Sequence, residues 1–177
     1  MTKKEKSAKK IRPMLIVEIA FLVLLAIGAI ICFNGMFKVW HIFTEKRIKT
    51  LEEIFDADFS DDTEFEYYSY IYQFQGGETH TLYIKNIANP ESFCRSCMNM
   101  PIEFMADIKN AEAIEYGDYT EEAAENHIKK LSAEEINWRK KKRFADFLCI
   151  CKSKGYQSVY LYFSKNTVGG YDVKIMM

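Results

Sequence analysis

Proline is scarce in this chain, three residues in 177, and glycine is limited to eight. So little of either excludes a collagenous, low-complexity or proline-rich disordered chain. Only three histidines are present, at 41, 80 and 127, and no two stand at metal-ligand spacing. A phosphate-cradling glycine loop, a nucleophile elbow and a metalloprotease motif are all missing. Neither sign of charge predominates. There are 24 Lys and Arg against 25 Asp and Glu, a formal net charge of −1, so the basic excess of a dedicated nucleic-acid binder is absent. The length admits one domain with an appended segment and excludes most multidomain enzymes. Within that limit, 49% hydrophobic and 15% aromatic residues are ample for a packed core.

The balanced total conceals a division. Residues 1–13 hold six positive charges and one negative, whereas residues 34–177 hold 18 positive and 23 negative. Between them runs MLIVEIAFLVLLAIGAIICF, Met14 to Phe33, with one charge, one glycine and no proline. Twenty helical residues at about 1.5 Å each span about 30 Å, the thickness of a bilayer's hydrocarbon core. A buried helix of a soluble protein rarely stays apolar on every face for five turns. The basic flank holds Lys3, Lys4, Lys6, Lys9, Lys10 and Arg12. The far flank holds only Lys38, Lys46, Arg47 and Lys49, diluted by Glu45, Glu52 and Glu53. That bias predicts a cytoplasmic N-terminus, with the following 144 residues outside. The apolar run exceeds the 7–15 residues of a signal-peptide core, and no small-x-small cleavage site follows in CFNGMFKVW, so an uncleaved anchor is expected.

Glu18 is the one charge within this segment. One turn inside the membrane a carboxylate reaches the interface by snorkelling; alternatively it pairs with a partner inside the bilayer. The stretch RPMLIVEIAFLVLLAIGAI resembles the start of a type IV pilin or pseudopilin. In that family a basic leader is cut just before an apolar helix, and a Glu at the fifth mature position pairs with the N-terminal amine of a neighbouring subunit. Cutting after Pro13 would make Glu18 that residue, although the family has Gly or Ala before the cut. The resemblance covers about 20 of the 177 residues.

Beyond Asn34-Gly35, a turn signal that predicts a break in the helix, Phe37, Trp40, Ile48, Leu51 and Phe55 fall near one helical stripe over 36–56. The acidic DADFSDDTE lacks the central glycine and closing glutamate of a calcium loop and reads as a solvated turn. EFEYYSYIYQF and THTLYIKNI flank a Gly-Gly turn and predict a tyrosine-rich hairpin. Its second face is either a half-buried sheet surface or a contact surface for a partner or carbohydrate. Asn89-Pro90-Glu91 starts a helix that ends before Pro101. IEFMADIKNAEAIEYG reads as a short helix and a short strand. A further helix starts at Thr120, and Ser132 with Glu135 reads as a capping box for another turn or two. Arg139-Lys140-Lys141-Lys142-Arg143 reads as a solvated helix end, or as a contact for anionic headgroups. RFADFLCICK, YQSVYLYFS and GYDVKIMM predict a three-stranded meander.

Of five cysteines, Cys32 lies in the apolar segment, leaving Cys94, Cys97, Cys149 and Cys151. Cys94 and Cys97 share a helix face, and Cys149 and Cys151 share a strand face. Three readings stand open: disulfides joining helix to sheet, a four-thiolate zinc site with an atypical second spacing, and unpaired buried thiols. A thioredoxin-like role for CRSC lacks its βαβ setting.

The expectation is therefore an α+β protein: an N-terminal transmembrane helix, then a small antiparallel-sheet domain with helices packed on one face. Residues 1–13 form a basic cytoplasmic tail, 14–33 the membrane helix and 34–177 the extracytoplasmic domain. The protein would sit in the cell membrane as a single pass, displaying a binding or assembly module. It would have no catalytic residues, metal or cofactor, and no nucleic-acid partner. The bilayer is a partner through 14–33, a protein partner lies in or beyond the membrane, and a pilin-like subunit is the alternative. Candidate sites are the four outer cysteines and Glu18.

Overall fold

The computed structural model describes residues 13–73, 77–118, 120–132, 136–138, 141–143, 145–152 and 158–177. The chain divides into two compact units, residues 1–37 and 38–177. The first holds one helix, α1 (Pro13–Met36), in which every residue from 17 to 30 is exposed. The helix ends at Met36, one residue past the Asn34-Gly35 turn signal, with Gly35 in its last turn. Among the described residues no helix is long and apolar enough to cross a membrane.

The remaining elements are β1 (Phe37–Trp40), α2 (Glu45–Phe55), β2 (Glu64–Gln73), β3 (Gly77–Ile87), α3 (Pro90–Cys97), β4 (Ile102–Asp107), β5 (Glu112–Glu115), α4 (Glu121–Ser132), β6 (Ile136–Trp138), β7 (Lys141–Arg143), β8 (Phe147–Lys152), β9 (Ser158–Lys165) and β10 (Tyr171–Met176). Eight strands form one sheet in the order β1-β2-β3-β10-β9-β8-β4-β5; β6 and β7 pair separately. The 64–87 hairpin and the closing meander form as their alternation predicts, with antiparallel pairing throughout.

Three local expectations give way. Residues 37–40 are a strand, because Phe37-Lys38-Val39-Trp40 also alternates. Trp40 packs its ring on Tyr68 at 4.6 Å, and α2 starts only after Thr44, whose carbonyl accepts from Arg47 and Ile48 N–H. Residues 102–115 are two strands, not a helix and a strand. Asp107 turns the chain between them, its carboxylate accepting from the backbone (2.9 Å) and side-chain (2.8 Å) N–H of Asn110. Residues 136–143 contribute paired strands, Trp138 opposite Lys141, where helical turns were expected. Residues 133–135, 139 and 140, including Glu135 of the capping box, lie outside the described residues.

The helices do not all lie on one face. Leu51 and Phe55 of α2 and Cys94 and Cys97 of α3 share one core with Tyr68, Leu82, Ile84, Cys149, Cys151, Val159, Leu161, Phe163, Val173 and Ile175. Ala124 and Ile128 of α4 share a second core with Phe104, Ala106, Leu148 and Ile150, which alternate with the first set along β4 and β8. The reason is β8: Phe147 to Cys151 are all buried, so both faces of that strand must be covered. Gly117, before α4, has φ +46°, and a Cβ there would lie 2.7 Å from the Glu103 carbonyl oxygen, so only glycine fits.

Candidate functional site

The four outer cysteines meet. Asn89 caps α3 by accepting from Ser92 N–H at 2.9 Å, and Pro90 occupies the first turn. Arg95 then pairs with Glu91 (3.1 Å) on its own helix and with Glu115 (3.0 Å) on β5, which sets how α3 lies along the sheet. Cys94 and Cys97 thereby face inward. Their partners on β8 alternate with Leu148 and Ile150, which face the other core. Cys149 and Cys151 Sγ lie 3.7 Å apart, and Cys149 also hydrogen-bonds Cys94. The four thiols are buried, none more than 4% exposed, near one another and not disulfide-bonded. Among the described residues no group of three or more His, Cys, Asp or Glu is placed to hold a metal ion.

Burial, then the carboxylate of Asp58 and the Cys151 sulfur, push the Cys97 thiol up to about 12. Cys149 is lowered by its bond with Cys151, but the bond with Cys94 and burial outweigh this and raise it; Cys151 is raised by its bond to Cys149 and by burial. A nucleophilic cysteine needs the opposite, a thiolate stabilised at neutral pH. Because each folded value lies above the unfolded one, the stability these thiols contribute is complete below about pH 8.5 and lost as pH rises through their folded values. With the full chain in detergent and reduced, iodoacetamide at pH 8 is expected to leave all four unmodified in peptide maps, and to alkylate them in urea. Native alkylation of Cys94 or Cys97 would instead mark a reactive thiol.

A second buried polar group escaped sequence reading. Tyr68 Oη lies 2.9 Å from His80 Nδ1, and His80 Nε2 lies 3.5 Å from Glu78 Oε2. Counting strand positions back from Gln73 and on from Gly77 puts Tyr70 opposite His80 and Tyr68 on the diagonal, so hairpin register was the available signal. Tyr68 is 2% exposed, and burial, with Tyr70 and Glu78 nearby, pushes its phenol up to about 12. The phenol therefore stays protonated and shares one hydrogen bond with Nδ1, its direction set by the imidazole tautomer. The carboxylate–imidazole–phenol order resembles a nucleophile relay, but a buried phenol held neutral is a fixed hydrogen bond between β2 and β3.

Two adjoining grooves, of about 520 and 620 Å³, share Thr63, Glu64 and Lys85 at the open end of this hairpin. Asn86, Glu64 and Lys85 of their lining are bonded to neighbouring side chains. Asn86, at φ 59°, donates to Glu64 (2.6 Å) and accepts from Asn166 (3.0 Å); Asn166 also donates to Asp172 (3.0 Å), and Lys85 pairs with Glu66 (2.7 Å). The network secures the β3–β10 irregularity between Tyr171 and Val173. Asp56 and Asp58 of the acidic loop hold α3: Asp56 carbonyl accepts from Asn99 N–H at 2.9 Å, and Asp58 N–H donates to the Cys97 carbonyl at 2.7 Å.

The tyrosine-rich hairpin divides by parity. Tyr68 and Tyr70 stand beside His80, while Tyr67 and Tyr83 meet with tilted rings 5.2 Å apart on the other face, with Lys174 5.9 Å from the Tyr83 ring centre. His41 is exposed beside Tyr67, and His127 meets the edge of Phe104, so the three histidines stay apart. Glu18 is exposed on α1. Arg139 and Lys140 of the basic run, and Cys32's side chain, lie outside the described residues. No protein-family model, curated protein or solved structure matches this chain.

Proposed function

We propose that the chain is a single-pass membrane protein, N-terminus cytoplasmic, whose α1 anchors an extracytoplasmic α+β module used for binding or assembly rather than catalysis. The observation that carries this is the exposure of α1. Val17, Ile19, Phe21, Leu22, Val23, Leu24, Leu25, Ile27 and Ile30 are 47–68% exposed, on all sides of one helix. Fully covering a large apolar side chain is worth about 1.5–3 kcal/mol, so these nine, each roughly half exposed, leave on the order of 8–16 kcal/mol unrealised in water. That is as large as the 5–15 kcal/mol by which a whole domain is stable, and hydrocarbon is the medium that recovers it. The six basic residues before the helix supply the orientation.

Protease added to the outside of intact cells or right-side-out vesicles is expected to degrade residues 38–177, and the intact mass of the extracted protein is expected to retain residues 1–13. Protection of the domain from outside would overturn the orientation. An intact mass beginning at Met14 would favour the pilin-like alternative, in which Glu18 joins neighbouring subunits.

A further inference from the structure

We infer that Cys94 with Cys149, and Cys97 with Cys151, are a modification site: two disulfides that fasten α3 to β8 as the domain folds. The inference rests on the outward placement of the domain for its supply of oxidant in the cell, since disulfides persist outside the reducing cytosol.

Geometry selects the pairing. Cβ atoms three residues apart on a helix are about 5–6 Å apart, and a disulfide needs about 3.5–4.5 Å, so Cys94 does not close on Cys97 while α3 is helical. Cys149 and Cys151, whose Sγ atoms lie 3.7 Å apart, stand two residues apart on an extended strand, which sets their Cβ atoms about 6.5–7 Å apart, beyond the ~3.5–4.5 Å a disulfide needs, so that pair is disfavoured as well. Only bridges between the two elements remain. Cys94 hydrogen-bonds Cys149, which leaves Cys97 to Cys151. The three residues from Cys94 to Cys97 and the two from Cys149 to Cys151 advance by about 4.5 and 6.5 Å, so two rungs fit side by side.

The chemistry is thiol–disulfide exchange with an oxidised low-molecular-weight or protein disulfide. One cysteine thiolate attacks that disulfide, forming a mixed disulfide and releasing one carrier thiolate. The second cysteine, once deprotonated, displaces the other. Per bridge, two protein thiols are oxidised, one carrier disulfide is reduced, and the two protons pass to the carrier's thiolates. In the closed domain the sulfurs are buried, so exchange belongs to the folding step, before α3 seals against the sheet.

The test refolds the full chain from urea into detergent micelles in a glutathione disulfide and glutathione buffer. Remaining thiols are then blocked in denaturant and the linked peptides mapped by mass spectrometry. The expected map links Cys94 to Cys149 and Cys97 to Cys151. A Cys94→Ala/Cys149→Ala variant should keep the Cys97–Cys151 bridge. Bridges within α3 or within β8, the crossed pairing, or four unlinked cysteines in the folded wild type would overturn the inference. The pairing is read in a defined buffer, independently of the side the domain faces in the cell, which the protease experiment reads separately.

Discussion

Phe163→Ala is expected to lower the unfolding free energy of the domain by about 3–5 kcal/mol, read by urea titration of the full chain in detergent with far-ultraviolet circular dichroism. Phe163 lies on β9 with none of its surface exposed. Its ring meets Phe93 of α3 edge-on at 6.0 Å and Phe147 of β8 edge-on at 5.6 Å, so it is the aromatic joint between α3 and the sheet. Alanine removes the ring, its transfer free energy and both edge contacts, and leaves a cavity that β-sheet neighbours on three sides cannot close. Tyr160 on the opposite face of the same strand is 39% exposed and stacks on Tyr162 at 6.2 Å. Tyr160→Ala should cost about 1 kcal/mol or less. Equal losses at 160 and 163 would mean that the core does not centre on the α3 side.

The second large effect concerns α1. Residues 14–33 hold thirteen Leu, Ile, Val and Phe. At about −0.3 to −0.6 kcal/mol each on insertion scales, they favour the membrane by about 4–8 kcal/mol. One arginine near the centre costs about 2.5–3.5 kcal/mol plus the lost leucine, which the remaining residues absorb. Two do not fit that margin. Leu22→Arg alone is therefore expected to reduce membrane insertion only modestly, whereas Leu22→Arg/Leu25→Arg should shift the chain mostly to the alkali-extractable fraction. Glu18→Leu should insert at least as well as the natural chain. Unchanged insertion of the double variant would remove α1 from the hydrocarbon.

Much of the architecture could be read before the fold was known, and the reason is the same at each place. Asn89-Pro90-Glu91 starts α3, Thr120 starts α4 with its hydroxyl accepting from Ala123 N–H at 3.3 Å, and Val159, Leu161 and Phe163 share a buried face. Each depends on contacts within a few residues or on the two-residue period of a strand. The failures lie where two local readings have nearly equal energy. Phe37 to Trp40 satisfies both a helical stripe and a strand alternation, and the ring of Tyr68, 28 residues onward, settles it. The segment 102–115 resolves into strands because β8 offers β4 an unpaired edge.

The candidate sites follow the same division. That Cys94 and Cys97 share a face, and that Cys149 and Cys151 share another, follows from helix and strand periodicity alone. Likewise, an apolar run of twenty residues behind a basic tail is a property of the sequence itself. Only the tertiary structure brought the two cysteine pairs together, through the ion pairs of Arg95 and the ring contacts of Phe163. It alone set Tyr68 against His80, through hairpin register. It alone sent α4 to the second face, because β8 is buried on both sides. Periodicity decides which side of an element is apolar; which other element covers that side is decided by long-range packing, in which distant residues compete for the same surface.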